Sequence, residues 1–107
     1  MIEEITASDL KKRLDIGEDI QLIDVRQPEE HAFARIEGAK LIPLGELMNR
    51  MKEIDPDRET VIHCKTGVRS ARAIEALERS GFGGSLKNLK GGITAWSNEV
   101  DPKVPKY

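Results

Sequence analysis

The chain is poor in cysteine, histidine and aromatic residues. Its 107 residues include one cysteine, two histidines, one tryptophan, one tyrosine and two phenylalanines. A lone cysteine, Cys64, excludes an internal disulfide. His31 and His63 lack ligand-like spacing with each other and with Cys64, so we expect no metal site and no cofactor. The chain has no run of about twenty apolar residues, and we therefore expect no membrane-spanning helix.

Neither sign of charge predominates in the sequence. Lys and Arg total 17, Asp and Glu total 19, and the formal net charge is only −2. This balance excludes the basic signature of a nucleic-acid-binding protein. No apolar run follows Met1, so export is not indicated, and we expect a cytoplasmic protein without nucleic-acid or membrane partners.

The chain does have the size and the apolar content of one small domain. With 38% hydrophobic residues, it can bury roughly two-thirds of its unfolded surface around a single core. We expect this domain over residues 1–100. The remaining segment, 101–107, contains spaced prolines and is predicted to be a loose C-terminal tail.

Apolar patterning along the chain predicts alternating helices and strands. Helices are predicted over residues 6–14, 28–34, 70–80 and 93–98, and strands over residues 21–25, 40–42, 60–63 and 85–89. A further helix is indicated by helical spacing of Leu44, Leu47, Met48, Met51 and Ile54. Such alternation predicts an α/β fold with a mostly parallel sheet between helical layers. Ligands of these sheets bind beyond the carboxyl ends of the strands.

Cys64 lies where the predicted strand over residues 60–63 meets a six-residue segment, 64–69, that leads into a helix. At such a turn the unpaired N–H groups and the positive dipole end of the helix favour a thiolate over a thiol. Lys65 and Arg69 add positive charge nearby. Cys64 is therefore a candidate nucleophile, although a lone cysteine can also be a small buried core residue.

The segment after Cys64 can form an anion-binding loop. Gly67 lacks a Cβ and can adopt positive φ, so several backbone N–H groups can point toward the sulfur. An ordinary turn glycine and a solvated Arg69 are the alternatives. The predicted loop consists of Lys65, Thr66, Gly67, Val68 and Arg69.

Several sequence blocks, taken together, resemble the single-domain rhodanese-like sulfurtransferases. In that family the active loop begins with cysteine, has glycine at its fourth position and often ends in arginine or threonine, as the segment 64–69 does. The other blocks come in the family's order, at residues 22–31, 36–43 and 89–96. The resemblance implies a rhodanese-like α/β fold with a central, mostly parallel five-stranded sheet and helices on both faces.

The resemblance also implies a chemistry for Cys64. Its thiolate would take a sulfane sulfur from thiosulfate or a persulfide donor and pass it to a thiophilic acceptor, in a ping-pong reaction through a Cys64 persulfide. Inward N–H groups would hold the persulfide anion. The resemblance puts Asp24 and Arg26 close to this loop as supporting residues. An ion pair that only pins a loop is the alternative for that pair.

Two other functions compete with sulfur transfer. A non-catalytic or regulatory binding module could use the same fold, although inactive members of the family commonly lack the cysteine. Cysteine phosphatases and arsenate reductases also hold an anion over a cysteine, but in a longer Cys-x-x-x-x-x-Arg loop whose arginine clamps the oxyanion. Here that position is Ser70, and Arg69 comes one residue earlier. The shorter ring suits one sulfur atom better than a phosphoryl group.

Lys65 leaves the sulfur donor and acceptor open. Thiosulfate-preferring members often have arginine at this position, and lysine cannot offer a planar two-pronged grip. Similar loops, with lysine second and arginine sixth, occur in rhodanese-like domains attached to ubiquitin-like activating enzymes. The resemblance therefore implies a small sulfur donor or a persulfide protein as one partner, and a sulfur-carrier protein or its activating enzyme as another.

His63 is predicted to point away from Cys64 and to be structural.

Overall fold

The computed structural model describes residues 2–107, and Met1, which the predicted domain includes, lies outside them. The strands are β1 (Glu4–Ile5), β2 (Ile20–Asp24), β3 (Lys40–Leu41), β4 (Glu59–His63) and β5 (Leu86–Leu89). The helices are α1 (Ala7–Asp15), α2 (Pro28–Phe33), α3 (Val68–Arg79) and α4 (Gly92–Glu99). Except for β1, which the apolar pattern does not predict, these bounds lie within two residues of the predicted ones. None of the helices in residues 2–107 is long and apolar enough to cross a membrane.

The strands form one parallel sheet in the order β1-β5-β4-β2-β3. The backbone of β4 is bound on both sides, by β2 and by β5. Asp24 lies beside His63 in this register, so the ends of β2 and β4 coincide. The predicted five-stranded parallel sheet is confirmed. The apolar pattern misses β1, because a strand of two residues is too short to show alternation.

The side chains of successive residues in β4 point to opposite faces of the sheet. Val61 packs in the core that α1 and α4 cover, whereas Ile62 and Cys64 pack in the core that α3 covers. The sheet therefore separates two apolar cores, and Cys64 belongs to the one beneath α3.

The segment between β3 and β4 is not the helix that its apolar spacing predicts. It forms two short 3-10 turns, Leu44–Glu46 and Met51–Glu53. Both Leu47 and Ile54 are buried, and two separate turns can place them on the core as well as one helix can. Arg50, between the turns, has φ −116° and ψ 13°, outside the α-helical region. The helical prediction is therefore wrong for this segment.

Proline spacing predicts a loose tail over residues 101–107, but part of this segment packs against the domain. Val104 is only 8% exposed, and its carbonyl oxygen accepts a 2.7 Å hydrogen bond from the Ser97 hydroxyl on α4. Tyr107 meets Phe33 edge to face, with 6.1 Å between the ring centroids. The boundary at residue 100 stays a prediction, while these contacts tie the segment to α4 and α2.

We expect Val104→Ala to lower the free energy of unfolding by about 1–2 kcal/mol, because it removes buried methyl groups. Lys103→Ala is the matched control, since Lys103 is exposed and its truncation should change stability by less than about 0.5 kcal/mol. Urea denaturation of both variants measures the difference. Equal stability of the two variants would mean that the segment contributes no packing.

Candidate active site

Cys64 directly follows β4, at the carboxyl end of the sheet and next to its central strand. The residue is 1% exposed and packs against apolar side chains of α3. The loop 64–67 connects it to α3, which begins at Val68. The sulfur therefore lies at the start of a helix and at the edge where parallel sheets bind their ligands.

The turn at Gly67 directs a backbone N–H group at the sulfur. Gly67 has φ 110° and ψ −5°, a left-handed conformation that a residue with a Cβ adopts only at a cost. Its N–H group donates a hydrogen bond of 3.1 Å to Cys64 Sγ. The positive φ that the sequence predicts for this glycine is thus present, and it orients the donor.

The surroundings of Cys64 favour its thiolate. Burial alone would raise the pKa of the thiol. The Ser70 hydroxyl, whose oxygen is 3.4 Å from Sγ, acts in the opposite direction, as do the backbone N–H groups of Ser70, Gly67 and Thr66. These hydrogen bonds outweigh burial, and the pKa of Cys64 lies below the ordinary value for cysteine.

Ser70 and Asn88 form a buried polar bridge that the sequence analysis missed. The Ser70 hydroxyl donates to Asn88 Oδ1 at 2.6 Å, and Asn88 Nδ2 donates to the Gly67 carbonyl at 3.0 Å. The side-chain amide of Asn88 on β5 therefore holds the end of the loop, at Gly67, and the first turn of α3, at Ser70. The available signal was a serine on the apolar side of α3, because a buried hydroxyl needs a partner.

The N-terminus of α4 holds the other side of the loop. The N–H groups of Ile93 and Thr94 donate to the carbonyls of Cys64 and Lys65, at 3.0 and 3.1 Å. A Cβ on Gly92, which has φ 59°, would lie 2.4 Å from the Lys65 carbonyl oxygen. Only glycine allows α4 to approach the loop this closely. Because α4 binds the carbonyls of Cys64 and Lys65, the N–H groups of the loop remain free to point toward the sulfur.

The two cations of the predicted loop make their contacts away from the sulfur. The Arg69 guanidinium binds both carboxylate oxygens of Glu30, at 2.7 and 2.9 Å. Lys65 Nζ lies 4.6 Å from the centroid of the Tyr107 ring. No hydrogen bond joins either cation to Cys64 Sγ within residues 2–107. Of the other predicted loop residues, Thr66 and Val68 have exposed side chains.

Asp24 and Arg26 form a fully buried ion pair. Arg26 Nη2 and Nε donate to the two carboxylate oxygens of Asp24 at 2.7 and 2.9 Å, and Nη2 also donates to the Ala34 carbonyl at 2.6 Å. Burial would raise the pKa of Asp24, but the hydrogen bonds from Arg26 and His31, together with the interaction with His63, outweigh it and the pKa is lowered. The pair ties the end of β2 to the residue that follows α2, and the supporting role of Asp24 and Arg26 stays a prediction.

His63 lies on the face of the sheet opposite Cys64 and is completely buried. Its Nδ1 donates a hydrogen bond of 3.3 Å to the Cys64 carbonyl oxygen, since a carbonyl can only accept. Burial lowers the pKa of His63 to about 4, so the ring is neutral near pH 7. This geometry agrees with a structural role. No cluster of three or more potential metal ligands occurs within the described chain.

Comparison with known proteins points to one family. The family model described as rhodanese-like domain matches residues 6–99. A protein named sulfurtransferase, from Allochromatium vinosum, is 41% identical over 97% of this chain and 96% of its own length. The probable adenylyltransferase/sulfurtransferase MoeZ of Mycobacterium tuberculosis is 42% identical over 96% of this chain, which spans only 26% of that protein. The solved structure of a rhodanese-like domain protein from Staphylococcus aureus gives a TM-score of 0.83 with 35% identity, over 92% of this chain and 95% of its own.

We expect Ser70→Ala to raise the pKa of Cys64, because the thiolate loses the Ser70 hydroxyl, whose single proton turns from Asn88 Oδ1 to Sγ when the thiol ionises. The alkylation rate below the midpoint of the pH profile should fall about fivefold, as expected for a hydrogen bond of about 1 kcal/mol. Iodoacetamide labelling across pH measures the midpoint. Ser80→Ala, at the exposed end of the same helix, is the control. An unchanged midpoint in Ser70→Ala would contradict the role assigned to this hydroxyl.

We expect Gly92→Ala to lower the free energy of unfolding by roughly 1–3 kcal/mol and to slow alkylation of Cys64. The added methyl group would collide with the Lys65 carbonyl and displace the loop. Gly83→Ala is the matched control, because Gly83 has open space around its Cβ position and no positive φ. Urea denaturation and labelling kinetics measure the two effects. Equal behaviour of the two variants would show that α4 does not constrain the loop.

Proposed function

The chain belongs to the rhodanese-like domain family, and from that premise we propose that it is a sulfurtransferase that carries a sulfane sulfur as a Cys64 persulfide. The donor would be thiosulfate or a persulfide, and the acceptor a thiophile. The observation that carries the proposal is the hydrogen bonding of Cys64 Sγ by the Gly67 N–H group at 3.1 Å, with Ser70 3.4 Å away. These donors supply what a sulfur anion requires at the start of a helix.

The first half of the reaction follows from the lowered pKa of Cys64. The thiolate attacks the outer sulfur of the donor, and a new S–S bond forms. The donor's own bond to that sulfur breaks, and its electron pair leaves with sulfite, when thiosulfate is the donor, or with a thiolate, when a persulfide is the donor. Cys64 then carries the terminal sulfur as Cys64-S-S⁻, and no external oxidant or reductant takes part.

The loop is suited to hold the charge of this intermediate. The backbone N–H groups of Thr66, Gly67 and Ser70 interact with the sulfur already in the free protein. The carbonyls of Cys64 and Lys65 are bound by α4, so their negative ends do not face the persulfide. Attack by an acceptor nucleophile on the outer sulfur restores the Cys64 thiolate and completes the ping-pong cycle.

A phosphatase reaction lacks comparable support from the site. The position that holds the clamping arginine in cysteine phosphatases is here Ser70, which is buried and hydrogen-bonded to Asn88. Arg69, one residue earlier, is bound through both of its terminal nitrogens to Glu30. A phosphoryl group would therefore find no free bidentate donor at the loop.

The acceptor that we propose is a sulfur-carrier protein or its activating enzyme. The relative from Mycobacterium tuberculosis carries both adenylyltransferase and sulfurtransferase in its name, and this chain matches 26% of its length. A rhodanese-like domain that acts beside an adenylylating enzyme would deliver sulfur to the carboxyl terminus of the carrier protein, after that enzyme has activated it. Pull-down of a candidate carrier by the persulfide form of the chain, with Cys64→Ser as the control, tests this partner.

Sulfur loading of Cys64 tests the proposed function directly. The protein is incubated separately with thiosulfate and with glutathione persulfide, and intact-mass spectrometry records the gain of one sulfur atom. Added cyanide should remove that atom as thiocyanate, and Cys64→Ser should show neither step. Sulfur transfer by Cys64→Ser at the parent's rate, or no loading from either donor, would contradict the proposal. Hydrolysis of an aryl phosphate that depends on Cys64 would support the phosphatase alternative instead.

A further inference from the structure

The Arg69 guanidinium is already bound by an anion that belongs to the chain itself. Both carboxylate oxygens of Glu30 accept hydrogen bonds from Arg69, at 2.7 and 2.9 Å. This two-pronged arrangement is the one that an arginine uses for a sulfonate or phosphate group. Arg69 lies in the first turn of α3, directly after the loop that begins at Cys64, so Glu30 occupies the cation that a substrate oxyanion bound at this loop would meet.

The Glu30 carboxylate is fixed by further hydrogen bonds. Its Oε1 accepts from the Gln27 N–H group at 3.0 Å, and its Oε2 accepts from the Tyr107 hydroxyl at 2.7 Å. The Tyr107 hydroxyl in turn accepts from Arg26, at 2.8 Å. The hydrogen bonds from Arg69 contribute most to lowering the pKa of Glu30, to about 2. Glu30 is therefore ionised at every pH at which a cysteine thiolate reacts.

The second cation of the loop is engaged as well. Lys65 Nζ lies 4.6 Å from the centroid of the Tyr107 ring, and the same ring contacts Phe33. The Tyr107 ring thus holds Lys65 while its hydroxyl holds Glu30. Neither Lys65 nor Arg69 donates a hydrogen bond to the sulfur of Cys64 within the described part of the chain. Both Lys65 and Arg69 thus already bind groups of the protein, and these contacts weaken their attraction for a small dianion.

We propose, on the basis of the sulfur transfer proposed above, that Glu30 is a specificity-determining residue that occupies Arg69 in place of a substrate oxyanion. It thereby disfavours thiosulfate, which carries two charges and a sulfonate group bonded to the reacting sulfur, relative to alkyl or protein persulfides, whose reacting sulfur carries one charge and is bonded to no oxyanion. In the favoured reaction the Cys64 thiolate attacks the terminal sulfur of R-S-S⁻. The S–S bond of the donor breaks, and R-S⁻ leaves with its electron pair.

Glu30→Gln tests this assignment, because it removes the charge and retains the size of the side chain. We expect the KM for thiosulfate to fall about tenfold, since one like charge near the bound dianion is removed and Arg69 is released. The kcat/KM for glutathione persulfide should change by less than about twofold. Steady-state kinetics with both donors, and cyanide as the acceptor, measure these constants.

Glu53→Gln is the matched control for the loss of a paired carboxylate. Glu53 also binds an arginine through both oxygens, at 2.8 and 3.1 Å to Arg50, and its pKa is likewise lowered to about 2. It lies in the 3-10 turn Met51–Glu53, where it also binds Lys40 of β3 at 3.0 Å, and within the described residues it makes no hydrogen bond to the loop that follows Cys64. This variant should leave the KM for thiosulfate unchanged.

The outcomes separate this assignment from the proposed function. If the parent protein transfers sulfur from neither donor, the proposed function fails. If it transfers sulfur but Glu30→Gln leaves the KM for thiosulfate unchanged, or changes both donors equally, the assignment of Glu30 is wrong. Should Glu30→Gln fail to fold, Glu30→Asp, which withdraws the carboxylate by one methylene group, must still lower that KM at least about twofold. Thiosulfate titration of Cys64→Ser with and without Glu30→Gln measures the same preference as a dissociation constant, without turnover.

Discussion

The site depends on one constraint, the direction of the peptide groups that follow β4. A backbone that turns its N–H groups toward a sulfur must turn its carbonyls elsewhere, and buried carbonyls require donors. Here α4 binds the carbonyls of Cys64 and Lys65, and Asn88 binds that of Gly67. The loop can therefore present donors alone to the sulfur, and the elements that make this possible are distant from it in sequence. The anion site is in this sense a product of the whole sheet.

A second network connects the elements around the loop. The Asp24–Arg26 pair is buried at the end of β2, and the Arg26 guanidinium extends from it to the Tyr107 hydroxyl. Tyr107 continues the chain of hydrogen bonds to Glu30, and Glu30 to Arg69 on α3. Since each charged group in this series has a partner of opposite charge or a polar donor, the burial of Asp24 and Arg26 does not leave an unpaired charge. The segment 101–107 is thereby joined to the surroundings of Cys64.

Local features of the site were readable from the sequence, whereas its long-range partners were not. The strand-to-helix position of Cys64 and the positive φ of Gly67 depend on neighbours within a few residues, so apolar patterning and glycine placement predict them. Asn88 reaches Ser70 across 18 residues and Tyr107 reaches Glu30 across 77, separations that no periodicity encodes. Apolar spacing also could not predict the two 3-10 turns after β3. The buried residues Leu47 and Ile54 are brought to the core by two short segments, and their spacing is the same as that of one helix.

Arg69 shows how a local misfit in the sequence is resolved by a distant contact. A cation in the first turn of a helix opposes the macrodipole, so Arg69 is unfavourable where it stands. The Glu30 carboxylate, presented from α2, cancels that charge and adds two charge-assisted hydrogen bonds. Because the cation is satisfied there, the field at the Cys64 sulfur comes mainly from backbone N–H groups and the Ser70 hydroxyl. Side-chain charge around the loop can therefore change while the backbone N–H groups that surround the Cys64 sulfur keep their positions.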